Sequence, residues 1–229
     1  MENYWNLIKS FYSPEYVENN AKTKVGFIQK IFESNSHEPA DIYFATYNPM
    51  AEIMADMYNV YVDEKFKDCV ENPKIKLAAL DSGLKFDTVM AMDEALTYCA
   101  TEQEQKDYLE KLVAVCNGWL FTTLVDYKNL APYKKNQVEA NLDNKNQKIL
   151  VEHHQPSLVD KQGWETYFHM IDGANRITTL GGYARRTMYF KQLAKYTSDL
   201  NSQEYIIQKN ILYKGFGKKH WEHIITVRF

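Results

Sequence analysis

Two segments decide the fold: Lys85-Phe-Asp-Thr-Val-Met-Ala-Met-Asp93-Glu94 and Gly118-Trp-Leu-Phe-Thr-Thr-Leu-Val-Asp126-Tyr127-Lys128. The first reads as an apolar strand, Phe86–Met92, that stops on two carboxylates. Thr101 then N-caps a helix, with Glu104 three residues on completing a capping box. That helix carries Tyr108, Leu109, Leu112, Val113 and Val115 along one side before Asn117-Gly118 stops it. Trp119–Val125 is a second apolar strand, and Asp126-Tyr127 emerge where it runs out. Strand, helix and strand in this order make half of an open α/β sheet, whose ligands bind at the carboxyl ends of the strands.

Upstream the same alternation continues. Ile42–Thr46 is a buried-strand pattern, and Tyr47-Asn48-Pro49 is a turn that places Pro at the first position of a short helix, Met50–Tyr58. Val60–Asp63 is the next strand, ending in Asp63-Glu64. A third candidate lies between Pro73 and Leu80, followed by Asp81-Ser82-Gly83. Strands and helices at this spacing argue for βαβ units and a parallel sheet. Right-handed crossovers then bring all the strand ends to one edge. Thr46, Asn48, Asp63, Asp81, Asp93, Asp126 and Tyr127 are therefore expected along one rim.

Residues 1–38 read as a helical cap, with apolar stripes at Trp5, Ile8, Phe11 and Tyr12 and again at Val25, Phe27, Ile28, Ile31 and Phe32. Residues 129–187 break the rhythm. A polar start, Lys134–Lys148, gives way to Ile149–His154, then to Tyr167–Ile171 and Arg176–Leu180 around Asp172-Gly173, a hairpin signal. An insertion of this length after a sheet strand is expected to be a functional cover, or lid. After Gly181-Gly182 a helix is expected over about Arg186–Tyr196. Tyr205–Tyr213 and His220–Phe229 then form an antiparallel pair closing the sheet edge.

Composition bounds the rest. The 229 residues suit one domain, and a 45% hydrophobic content supports a sizeable core. A net charge of −3 exerts no global pull on nucleic acid or anionic membrane. The basic pairs Lys134-Lys135, Arg185-Arg186 and Lys218-Lys219 are solvated faces or a groove for nucleic acid or another anion. No apolar run is long enough to span a membrane, and there is no signal-peptide core. The 3 cysteines form no CxxC pair and read as reduced buried thiols, so the chain is expected to be cytoplasmic. His220 and His223 lack a convincing third ligand, and no metal site is expected. No nucleophile elbow or phosphate loop occurs.

The order of elements resembles the class I S-adenosylmethionine (SAM)-dependent methyltransferases, and most closely the group called methyltransferase type 11. The resemblance covers residues 40–229. It rests on Phe86–Asp93, Gly118–Thr123, Tyr189-Phe-Lys-Gln-Leu-Ala-Lys-Tyr196 and Glu222-His-Ile-Ile-Thr-Val227. It implies a Rossmann-like seven-stranded sheet, mostly parallel with the last strand antiparallel, flanked by helices, with an inserted β-hairpin region. It also implies SAM as cofactor, with Asp63 on the ribose hydroxyls, Asp81-Ser82 reading the adenine amino group, and Asp93 near the transferred methyl. One departure stands out. The family's first loop is Gly-x-Gly-like so that main-chain amides approach the cofactor, whereas here it is Ala45-Thr46-Tyr47-Asn48-Pro49. Tyr47 stands where the methionine portion of SAM would lie, and Thr46 and Asn48 are the groups left to bind its carboxylate or amine.

Methyl transfer needs a base only for a hydroxyl or a protonated amine. His153, His154 and His169 are the candidates. His153 and His154 point to opposite sides of an extended chain, so one of them, taken as His154, faces the site. Asp126 and Tyr127 are placed to orient the substrate. Two readings follow: a methyltransferase acting on an acceptor that the sequence does not specify, or a retained fold without SAM activity that serves as a binding protein.

Overall fold

The computed structural model describes residues 14–125, 137–143, 148–158, 160–213 and 220–229. Strand β1 (Asp41–Phe44) is apolar in both directions, with Ile42 and Phe44 in one core and Tyr43 and Ala45 in the other. A strand apolar on both faces belongs inside a parallel sheet covered by helices. Strands β2 (Asn59–Asp63) and β4 (Phe86–Ala91) flank it, both parallel to it. Beyond them lie β3 (Lys76–Ala78) on one side and β5 (Cys116–Val125) on the other.

The insertion follows β5 and contributes β6 (Gln137–Asp143), β7 (Lys148–Pro156), β8 (Gly163–Ile171) and β9 (Ile177–Arg186). The chain then returns to the first sheet with β10 (Glu204–Tyr213) and β11 (His220–Arg228). The order across the large sheet is β3-β2-β1-β4-β5-β11-β10, and β11 runs antiparallel to both its neighbours. The expected seven-stranded Rossmann-like sheet with its last strand reversed is present.

Helices cover both faces. On one, α1 (Pro14–Ser34) and α2 (Met50–Met54) bury Val25, Ile28, Phe32 and Met50 against Phe44, Val62, Met90 and Phe121. On the other, α3 (Glu102–Val115) and α4 (Phe190–Asp199) bury Leu109, Leu112 and Leu193 against Tyr43, Val89, Leu120 and Ile225. Each such side chain contributes roughly 1.5–3 kcal/mol by leaving water. The Thr101 cap forms as expected, its hydroxyl accepting the Glu104 N–H at 3.2 Å. Trp5, Ile8, Phe11 and Tyr12 lie outside the described residues. Among the described residues, no helix is long and apolar enough to cross a membrane.

Three expectations are corrected. The helix α2 ends at Met54 rather than Tyr58, where the N–H groups of Met57 and Tyr58 both turn back to the Met54 carbonyl. Gly118 does not stop a helix: α3 gives way at Cys116, already extended at φ −89 and ψ 128, and Gly118 lies inside β5. Its role is close approach, since a Cβ there would sit 2.6 Å from the Asp87 carbonyl oxygen on β4. Gly181-Gly182 likewise lie within β9, not before a helix, and α4 begins only at Phe190. Gly181 takes φ +137 beside a register shift at Phe168/His169, and a Cβ on Gly182 would meet Tyr167 at 2.7 Å. In both cases glycine admits a neighbouring strand.

The insertion is also more than a hairpin. The Asp172-Gly173 connection joins β8 to β9, with Asp172 accepting the N–H groups of Ala174 and Arg176. Strands β6 and β7 extend it to a four-stranded antiparallel sheet in the order β6-β7-β8-β9.

Gly118→Ala is expected to lower unfolding stability by about 1–3 kcal/mol, since the clash is with backbone and not with a side chain that can swing away. Urea denaturation followed by tryptophan fluorescence reads this directly, and an unchanged midpoint would show that β4 and β5 can separate at no cost.

Candidate functional site

The strand order reverses between β1 and β4, and such a switch point opens a crevice at the carboxyl edge of the sheet. Here side chains from three elements meet across it. Asn48, after β1, donates its amide to Asp93 Oδ2 at 2.5 Å, and its own Oδ1 accepts the Met50 N–H at 2.9 Å. Lys24 reaches from α1 to Asp93 Oδ1 at 2.9 Å and is itself buried. Thr46 is buried beside them, with its hydroxyl 3.4 Å from the Met92 carbonyl. Asp93 and Glu94 are both left-handed, at φ 54 and φ 57. Tyr47 does not stand at the rim. Its ring packs in the core under α1 and α2, and its hydroxyl donates to Glu52 at 3.0 Å.

One strand over, Asp63 is buried at the end of β2. Its carboxylate accepts the Lys65 N–H at 3.1 Å and the Lys65 ammonium at 2.9 Å. The Tyr43 and Tyr108 phenols are held well above their ordinary range, first by burial and then by the Asp63 charge. Asp81 and Ser82 are exposed on the turn beyond β3, from where the Asp81 charge adds a smaller upward push on the Tyr43 phenol behind burial, Asp63 and Tyr108. Thr46, Asn48 and Asp93 are thus brought together and Asp63 is adjacent. Asp126 and Tyr127 lie outside the described residues.

Above this edge lies a cavity of about 590 Å³, and its walls come from both sheets. Lys65 and Phe66 follow β2, Tyr98, Ala100 and Glu104 lead into α3, and Gly182, Tyr183 and Ala184 belong to β9. Tyr98 and Tyr183 meet edge to face at 5.9 Å. Burial pushes the Tyr183 phenol up to about 12, with Arg185 pulling against it.

The second sheet is held over this edge by Arg186, the last residue of β9. Its buried guanidinium donates to Asp160 at 2.6 Å and to Gln105 at 2.7 Å, and Glu102 lies 3.4 Å away. Gln105 in turn donates its amide to the Arg186 and Leu96 carbonyls at 2.9 and 3.0 Å. Arg185 lies over the Tyr98 ring at 4.3 Å and the Trp164 ring at 5.6 Å, 3.6 Å from Glu94. The pair Arg185-Arg186 is therefore neither a solvated face nor an anion groove. Lys134, Lys135, Lys218 and Lys219 lie outside the described residues.

The inward face of this sheet carries Leu150, Glu152 and His154 from β7 and Trp164, Thr166 and Phe168 from β8, all buried. The alternation expected for His153 and His154 holds. His154 faces inward, while His153 lies against Tyr167, whose hydroxyl donates to Glu165. His169 is set against Thr179 at 3.1 Å. His154 belongs to a directional chain. The indole N–H of Trp164 can only donate, and it donates to the Thr166 hydroxyl at 3.1 Å. The Thr166 hydroxyl in turn pairs with His154 Nδ1 at 2.9 Å, and His154 Nε2 lies 3.7 Å from Glu152, so the Nε2–H tautomer is the one that points its proton toward that carboxylate. The chain ends on Glu152, a buried carboxylate close enough to raise the Tyr98 phenol behind the larger effects of burial, Glu94 and Asp93. Sequence reading missed Lys24 and Glu152, and it placed Arg185 only in a basic pair, not at this rim. The signal for Lys24 was a charge on the apolar stripe of Ala21, Val25 and Ile28, and for Glu152 its place two residues from His154.

No known family profile matches the sequence, and no curated protein matches it. Solved structures do. A SAM-dependent methyltransferase from Clostridium acetobutylicum superposes over 99% of this chain and 96% of its own, with a TM-score of 0.68 and 14% identity. An amino pentose methyltransferase from Micromonospora echinaspora, solved with SAM bound, covers 94% of this chain and 97% of its own at TM-score 0.65 and 11% identity. A sugar N-methyltransferase from a Streptoalloteichus species covers 90% of this chain and 87% of its own at TM-score 0.57 and 8% identity. At such identities the likeness is one of fold.

Two outcomes are expected from this geometry. Long-range proton–nitrogen NMR should find the His154 imidazole as its Nε2–H tautomer, and Thr166→Val should disturb that preference; a dominant Nδ1–H form would reverse the chain. Arg186→Met should cost about 2–4 kcal/mol in chemical denaturation, below the usual loss for a fully buried pair because Glu102 is half in water.

Proposed function

We propose that the chain is a SAM-dependent methyltransferase of the class I, type 11-like group, acting on a small molecule held beneath the second sheet. The observation that carries this reading is the cavity of about 590 Å³ at the carboxyl ends of the strands, beside buried Asp63 and roofed by β9. The fold of known methyltransferases supports it, as does the SAM bound in the amino pentose enzyme.

The residues present fit the cofactor. Asp63 accepts two donors already, and Lys65, a half-exposed ammonium, is a partner that two ribose hydroxyls can replace. Phe66 and Tyr98 supply flat apolar walls for a purine. Thr46 and Asn48 border the other end. No residue of Ala45–Pro49 is left-handed, so the loop adopts its conformation without glycine; the left-handed residues are Asp93 and Glu94 across the crevice. Asp81 and Ser82, on the exposed turn beyond β3, are the groups to read the adenine amino group.

Bound there, SAM supplies an activated methyl on a sulfonium. The chain's own residues have three tasks. The roof of Trp164, Phe168 and Tyr183 excludes water, and the Arg186 anchorage fixes its height, so that an acceptor is held in line. Glu152 takes the proton that a hydroxyl or ammonium acceptor gives up. His154, with its Nε2 3.7 Å from Glu152, limits where that carboxylate can move. The neighbours named as sugar and amino pentose methyltransferases favour a polar, ring-shaped acceptor. All three cysteines are buried and unbridged, which suits the reducing cytoplasm.

A second reading has one observation in its favour. Asn48, Asp93 and Lys24 bridge the crevice, as would suit a chain that kept the fold and lost the cofactor. Calorimetry separates the two. S-adenosylhomocysteine (SAH) and SAM are expected to bind with measurable heat, and Asp63→Asn to weaken both by about tenfold or more, the loss expected for charge-assisted hydrogen bonds. Absence of heat and of thermal shift at millimolar SAM would favour the binding-protein reading. An unaltered affinity in Asp63→Asn would remove that residue from the ribose.

A further inference from the structure

We infer that Lys65 is a built-in competitor for the cofactor: its ammonium occupies the Asp63 carboxylate in the empty protein, has to leave when a ribose enters, and so sets the affinity of the site. This inference rests on the cofactor reading above and adds to it a regulation of the same cavity by one of its own walls.

Three observations point the same way. The first is place. Lys65 and Phe66 both line the cavity of about 590 Å³, and the Lys65 ammonium lies over the Phe66 ring, 5.1 Å from its centre. The same ammonium is 2.9 Å from Asp63. It therefore stands in the corner that a nucleoside would fill, between the flat wall for the purine and the acid for the ribose.

The second is how the Asp63 carboxylate is divided. One oxygen, Oδ1, accepts the Lys65 main-chain N–H at 3.1 Å and so caps the short 3₁₀ turn over Glu64–Cys69. The other, Oδ2, takes the Lys65 ammonium. The cap survives when the ammonium leaves. Arg186 and Lys24 tie separate elements together, whereas the bond between Lys65 and Asp63 closes a loop of only two residues. The architecture does not depend on it.

The third is the contrast in exposure. The Asp63 side chain is 7% exposed and that of Lys65 is 44% exposed. The carboxylate is fixed in the site, while the ammonium sits on a flexible stem with water beside it. In the empty protein it spares a buried carboxylate a missing donor. When ligand binds, ribose hydroxyls take over as donors and the ammonium returns to water. Each binding event then includes the loss of one ion pair, which lowers the affinity below what the cavity alone would give.

The test titrates the full chain with SAH by calorimetry in the wild type, Lys65→Met and Lys65→Arg. Methionine keeps an unbranched side chain beside Phe66 but carries no charge. It should tighten SAH by about two- to fivefold, the range of a half-exposed ion pair, while the empty variant unfolds at a lower temperature. Arginine holds a carboxylate through a rigid fork of N–H groups and should weaken SAH by at least about twofold. Raising sodium chloride from ~50 to ~500 mM screens the competing pair, so it should tighten SAH on the wild type and leave Lys65→Met unchanged. A Lys65 of purely structural use would lower the unfolding temperature on substitution with no gain in affinity and no response to salt. Equal or weaker SAH binding by Lys65→Met would overturn the competitor and leave the cofactor reading intact. Failure of all three proteins to bind SAH would overturn both.

Discussion

The buried guanidinium of Arg186 is the constraint on which the site depends. The cavity has walls from two sheets, so its shape is set by whatever fixes the distance between them. A guanidinium out of water must satisfy its donors, and here that happens only where β9, the β7–β8 connection and α3 come together, at Asp160, Gln105 and Glu102. Gln105 closes the loop by returning its amide to the Arg186 carbonyl. Gly182, Tyr183 and Ala184 lie only two to four residues upstream in β9, so they inherit that position and face Tyr98 and Glu104.

The same logic recurs around the rim. Lys24 with Asp93 joins α1 to the end of β4, and Arg185 with Glu94 joins β9 to the residue beside it. Trp164, Val125 and Tyr189 supply a smaller apolar contact between the sheets. These buried charges are therefore used between elements. Such pairs fix geometry more than they add stability. Geometry is what a site needs when it must hold two small molecules in line.

The large sheet was legible because its strands are apolar on both faces and its helices on one, so Ile42–Phe44, Phe86–Ala91 and Leu109–Val115 announce themselves by period alone. Glycine was the main source of error. At Gly118 and Gly182 local chain pattern cannot show that a neighbouring strand passes within about 3 Å of a missing Cβ, and at Gly181 it cannot show the φ of +137. Rim residues Thr46, Asn48, Asp63 and Asp93 were legible from topology, since a strand end in a parallel sheet has only one place to be. The groups that meet them across long sequence separations, Lys24, Glu152 and Arg185, were not. Nothing near Lys24 in the chain reveals that its partner lies sixty-nine residues on.

The position of β11 has a consequence for how the molecule assembles. Every pairing in the second sheet is between consecutive strands, so its contacts are local and cheap in chain entropy. In the first sheet, β5 has β11 as its outer neighbour, a strand that follows the whole second sheet in chain order. During synthesis the roof can therefore pair before the sheet beneath it is complete. Until the final strand emerges, β5 keeps an open edge of buried-type residues, Leu120, Phe121 and Leu124 among them. Loss of β11 would leave that edge as a template for another chain, which makes this strand a safeguard against aggregation as much as a part of the fold.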